Sequence, residues 1–189
     1  KDGDDRTDSA ILKMFHMSRK DEPFAEVIDS LNLIPVSISY EYDPCDLAKA
    51  RELCVRAATG SYTKAPGEDD ASIALGITGY KGRVHLHFGP PVAGLEDTKQ
   101  LAREVDRQIL GQYRLFPVHY LAYSMWEGRE AELNVPAASE LFPAAELAKA
   151  EAEWQKRLAA CSAEEKPFLI LQYANPVRNK YRVKAGLPL

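Results

Sequence analysis

Cysteine is scarce in this sequence, with only Cys45, Cys54 and Cys161 among 189 residues. No two are spaced Cys-x-x-Cys, so neither a zinc knuckle nor a disulfide framework follows, and the thiols read as reduced. Cys45 sits between Asp43 and Asp46, neighbours that disfavour a nucleophilic thiolate. Histidine is nearly as sparse, at four residues. No apolar run reaches the roughly 18 residues of a membrane span, and Lys1-Asp-Gly-Asp-Asp is no signal peptide. A basic excess is missing too. Lys and Arg number 24 against 28 Asp and Glu, the net charge is −4 and the pI near 5.6, so no nucleic-acid partner is expected. There is no Gly-x-Ser-x-Gly elbow, phosphate loop or dinucleotide fingerprint. The first residue is not Met, and an acidic, Gly-containing opening suggests a fragment or a processed chain.

What is present is ordinary globular material, 46% hydrophobic and 28% charged. Ile11, Leu12 and Phe15 predict a short helix, and Pro23 opens a second through Phe24, Val27, Ile28 and Leu31. The β-branched run from Leu33 to Tyr40 reads as a buried strand. Asp43 and Pro44 suit a helix start, with Asp46 at its positive end, and this helix should run to about Ala58. Residues 71 to 79 fit strand or helix; Ile73 and Ile77, four apart, favour helix. Arg83 to Phe88 alternates and stops at Gly89-Pro90-Pro91, which predicts a second strand. Further helices are expected from Leu95 to Tyr113 on the stripe Leu101, Val105, Ile109 and Leu110, from Pro117, and from Leu141 to Cys161. The stretch Phe168 to Tyr173 should lead into a basic tail of Arg178, Lys180, Arg182 and Lys184. The expected class is a helix-rich α/β fold. Two visible strands make no stable sheet alone, so they either pair weakly or have partners upstream of Lys1.

The histidines offer little chemistry. His16 and Asp21 fit His-x-x-x-x-Asp, a base and its orienting carboxylate, but no buried strand precedes them and the match reads as coincidence. His85 and His87 would share one strand face, a metal-ligand geometry without a third ligand, so no metal and no cofactor is assigned. His119 has no obvious partner. Pro35 interrupts a β-branched run, which marks either an edge or a place where the backbone leaves the ladder to line a cleft.

Leu33-Ile-Pro-Val-Ser-Ile38 resembles the fourth conserved block of the glycerolipid acyltransferases, the family of 1-acyl-glycerol-3-phosphate and glycerol-3-phosphate acyltransferases. Lys1 to Thr7 resembles the loop after that family's third block, Glu-Gly-Arg, and Gly79 to Pro91 is similar to the domain's closing strand. The resemblance implies that residues 1–92 are the C-terminal part of an acyltransferase domain and that 93–189 are an all-helical extension. It implies acyl transfer to the hydroxyl of glycerol-3-phosphate or lysophosphatidate, the donor being an acyl-CoA or acyl carrier protein thioester. The catalytic block Asn-His-x-x-x-x-Asp would lie upstream of Lys1, so no catalytic residue is assigned here. Ile34, Pro35, Val36 and Ser37 would line the acceptor cleft, and Arg6 would neighbour the phosphate. A cytoplasmic protein, peripheral at the inner face of the cell membrane, is the implied setting.

In the extension, Tyr113, Phe116, Tyr120, Tyr123 and Trp126 with the basic tail suit contact with lipid headgroups, or else form a packed core under a solvated tail. Two readings compete with the enzyme: a non-enzymatic helical interaction module, and a metal-dependent hydrolase through His85 and His87. Exposed apolar strand edges would favour the acyltransferase half; a self-contained sheet would favour the module.

Overall fold

A computed structural model describes residues 6–189, which form a helix-rich fold with one two-stranded antiparallel sheet. The expected helix-rich α/β class holds at that level. The opening Lys1-to-Asp5 part of the loop likened to the third block lies outside the described residues.

Asp8 caps α1 (Ser9–Leu12) by accepting the Ala10 N–H, and a 3-10 segment continues to Arg19. α2 (Phe24–Leu31) starts behind Pro23 and ends at Asn32, whose left-handed backbone terminates the ladder. β1 (Val36–Tyr40) is shorter than the Leu33–Tyr40 run. Pro35 has no N–H to give, and its carbonyl instead takes the Gly89 N–H at 2.8 Å, just beyond the strand. α3 (Asp46–Thr59) starts three residues after Asp43, whose carboxylate accepts the Cys45 N–H at 2.8 Å; Gly60, at φ 82°, closes it. α4 (Glu68–Thr78) is the helix favoured by Ile73 and Ile77, although both side chains face solvent. β2 (Val84–Phe88) then pairs with β1. Asp97 caps α5 (Thr98–Gly111), and Pro117 opens α6 (Pro117–Met125). α7 (Ala138–Leu141) and α8 (Ala144–Ala160) follow. The basic tail is in fact the second half of α9 (Lys166–Lys184), which runs through Pro176 and packs on α3, α5 and α6.

Two core clusters draw on both sides of residue 92. One joins Tyr42 and Ala50 to Phe116, Trp154, Leu169 and Tyr173; the other joins Leu12 and Ile28 to Val92 and Leu101. Residues 6–92 and 93–189 therefore share their hydrophobic interior. Phe116 is buried in the first of these clusters, Tyr120 and Tyr123 in a third cluster with Ala174 and Val177, and Arg178 and Arg182 both pair with Glu130. Of the two readings of these aromatics, the packed core is the one the fold shows, because α6 and α9 pack on each other. Among the described residues no helix is long and apolar enough to cross a membrane.

The expectation of a buried β1 fails in an informative way. The register sets Val36 opposite Phe88, Ile38 opposite Leu86 and Tyr40 opposite Val84, so these six side chains share one face. That face is the open one: Ile38 is 45% exposed, Leu86 52% and Phe88 68%. The opposite face turns inward with Ser37 and Ser39, both buried. A one-layer sheet ordinarily does the reverse. The uncovered face amounts to roughly 500 Å² of side chain, at the upper end of what a monomer leaves open.

Candidate functional site

The ladder hydrogen bonds decide which backbone groups are spare. Gly89 N–H donates to Pro35 and Glu41 N–H donates to the Arg83 carbonyl at 2.9 Å, so Pro35, Ser37, Ser39 and Glu41 face β2. The N–H and C=O groups of Val36, Ile38 and Tyr40 then point along the unpaired edge. A cleft of about 560 Å³ lies beside this edge. Its walls are Ile38 to Tyr40, the start of α3, Ser72 and Gly76 of α4, the turn at Arg114 and Leu115, and Tyr173 and Pro176 of α9.

The cleft's position is fixed by a buried ionic network. Asp46, almost wholly buried, pairs with Arg157 and accepts from the Tyr173 hydroxyl at 2.6 Å. Tyr173 in turn accepts the Asp43 N–H at 3.0 Å, and Arg157 donates to the Asp43 carbonyl at 3.2 Å while lying 4.7 Å over the Tyr42 ring. Burial, then the Asp46 charge, holds the Tyr173 phenol well above its ordinary pKa. Burial likewise pushes Tyr42 up to about 12, helped by Glu41 and Glu153. A second network ties Arg83 to Glu41 at 2.9 Å and to Glu146 at 2.6 Å, with the guanidinium over Phe116.

Within the cleft, the Cys45 thiol donates to the Ser72 carbonyl, and Lys49 is paired with Asp43. Ser39 Oγ accepts the Arg114 N–H at 2.8 Å. His119 Nδ1 accepts the Phe116 N–H at 2.9 Å, which leaves the proton of the neutral ring on Nε2. Complete burial lowers its pKa to about 4, so the ring is neutral at pH 7. The Cys45 thiol and the Ser72 hydroxyl contact each other, and neither reaches a histidine or carboxylate among the described residues.

The residues singled out from the sequence do not form one surface. Ile34 and Val36 lie toward the open face of the ribbon, Pro35 and Ser37 are buried, and the cleft begins only at Ile38. Arg6 is exposed, next to Thr7, whose N–H is held by Asp106 of α5 at 2.8 Å. His16 Nε2 contacts the Glu22 carbonyl at 2.8 Å, not Asp21. His85 and His87 pair across the ribbon with Ser39 and Ser37, and no cluster of three or more potential metal ligands occurs among the described residues. Lys81, Arg114, Arg157 and Tyr173 went unnoticed in the sequence. Asp46 and Arg157 are 111 residues apart, and no local pattern announces such a pair. No family model, no curated protein and no solved structure matches the chain.

Proposed function

We propose that this chain is the acceptor-side half of a glycerolipid acyltransferase, peripheral at the cytoplasmic face of a membrane. The observation that carries the reading is the inverted ribbon. Ile38, Tyr40, Val84, Leu86 and Phe88 stand exposed on one face, with Val36 half-buried beside them, while serines are buried on the other, and both strand edges lack a partner among the described residues. That is the surface an α/β domain leaves when its remaining strands and helices are supplied by another stretch of chain. Val36, of the Leu33-to-Ile38 block, lies on this side of the ribbon, so in the proposed enzyme the acceptor cleft would form between this face and the segment that carries the catalytic block.

In the implied chemistry a histidine of the Asn-His-x-x-x-x-Asp block takes the proton of a glycerol hydroxyl. The oxygen attacks the thioester carbonyl, an ester forms, and the thiol leaves with the proton. Two strands that pair only with each other among the described residues, with an uncovered apolar face, also suit the interaction-module reading, and the assay below separates the two.

The experiment is to extend the chain along its natural reading frame through the upstream block and assay acyl transfer from acyl-CoA to lysophosphatidate. Transfer by the extended protein, lost on His→Ala in that block and absent from residues 1–189 alone, is the expected outcome. A frame that lacks the block, or an extended protein with no transfer, refutes the proposal.

A further inference from the structure

We propose that the outer edge of β1 binds an extended acidic segment of a partner protein, which pairs with Ile38 and Tyr40 as an added strand and fills the adjoining cleft. The inference rests on this edge and its cleft alone and stands apart from the acyltransferase reading. The outer edge of β2, also without a partner among the described residues, remains available for further strands.

The backbone sets the kind of ligand. The N–H and C=O groups of Ile38 and Tyr40 face away from β2, bond to no described residue and border the cleft of about 560 Å³. Such a row offers donors and acceptors in alternation, and what matches it is another extended main chain.

Two side chains of the cleft wall are complementary to the same groups. His119 is 6% exposed; the Phe116 N–H occupies its Nδ1, and its Nε2–H has no acceptor among the described residues. Gln172 is 8% exposed; its side-chain N–H groups donate to the Asp46 and Phe168 carbonyls at 3.3 Å, and its Oε1 has no donor among the described residues. Among the described residues, the side-chain atoms sealed without a partner lie elsewhere, at Ser37, Gln108, Tyr123 and Asn179. His119 Nε2 and Gln172 Oε1 therefore open onto the cleft that their residues line. A largely buried donor or acceptor left unpaired is unfavourable, and a peptide group supplies one partner of each kind.

Charge selects the side chains. Within the cleft Lys49 is paired with Asp43, whereas Lys81 and Arg114 have no carboxylate partner among the described residues. The Lys81 ammonium donates only to the Ile77 and Gly79 carbonyls, at 2.9 and 3.1 Å. This local positive excess, in a chain whose net charge is −4, favours Asp or Glu on the partner. Pro44, Leu115 and Pro176 add apolar wall for the side chains between them.

The test selects random dodecapeptides, displayed on phage, against the immobilised 189-residue chain, and the enriched sequences are synthesised. They should carry Asp or Glu among apolar residues, and binding should protect the Ile38 and Tyr40 amides from hydrogen exchange. N-methylation of alternate peptide amides deletes ladder donors without touching the protein and should weaken binding about tenfold or more. Ile38→Pro removes an N–H that faces only the edge and should do the same. Arg114→Gln should weaken binding about threefold to tenfold and flatten its salt dependence, while Arg103→Gln on the exposed side of α5 changes neither. Circular dichroism checks that each variant is folded, and the N-methyl arm decides should Ile38→Pro disturb the strand. No enriched sequence, enriched sequences without acidic residues, or binding indifferent to N-methylation overturns the proposal. Sedimentation of the free chain covers a rival occupant: self-association lost on Ile38→Pro assigns the edge to a second copy and overturns the proposal as well.

Discussion

Acidification from pH 7 to pH 5 should destabilise this protein before most of its carboxylates titrate, and His119 is the reason. Its ring is buried, and its pKa is lowered to about 4 from an unfolded value of 6.5. Between those limits the unfolded chain takes up the proton and the folded one does not, so stability is full above about pH 6.5 and falls as pH drops toward 4. The whole interval is worth about 3 kcal/mol at about 1.4 kcal/mol per pH unit, and about 2 kcal/mol of it is lost between pH 7 and pH 5. Against a total stability of about 5–15 kcal/mol that is readily measured. Urea unfolding at the two pH values, on the wild type and on H119Q, isolates the effect. Glutamine can still accept the Phe116 N–H but does not titrate, and the three other histidines are common to both proteins. The wild type should lose about 2 kcal/mol more than H119Q over this range. Equal losses in the two proteins would refute the burial argument.

Arg157→Met leaves the Asp46 carboxylate buried without its cation and should cost about 3–5 kcal/mol in urea unfolding. Adding Asp46→Asn to that variant should return most of the loss, and additive losses would deny the coupling. Ser37 Oγ is buried without a hydrogen-bond partner, so Ser37→Ala should be neutral or stabilising by up to about 1 kcal/mol; a clear loss would reveal a partner. Leu86→Lys on the open ribbon face should change the melting free energy of this chain by no more than about 0.5 kcal/mol. A cost of several times that would mean the face is covered in solution.

Most elements were legible because each carried a local signal. Pro23 and Pro117 at helix starts and the stripe Leu101, Val105, Ile109 and Leu110 all mark elements that the chain respects. The strands were also visible, since alternation sets their period. Alternation does not say which face turns inward, however, and β1 turned its serines in. The aromatics of α6 gave a similar ambiguity: Tyr120 and Tyr123 suit an interface or a core equally well, and only the arrival of α9 decides. The cleft was not legible, because Lys81, Arg114 and Tyr173 come together from three distant parts of the chain. Of the residues proposed from the resemblance, Pro35 alone signalled something structural, the point where the ladder stops.

The last helix carries a consequence for how the protein comes into being. Tyr173 reaches back 130 residues to Asp43, and Gln172 donates to the Asp46 carbonyl 126 residues away. On a ribosome, residues 166–184 emerge after every segment they bind. Until then Asp46 lacks its tyrosine donor and the surfaces of α3, α5 and α6 lack their shared cover. Nascent chains should therefore stay protease-sensitive and chaperone-bound until α9 is released, then fold in one late, non-local step rather than segment by segment.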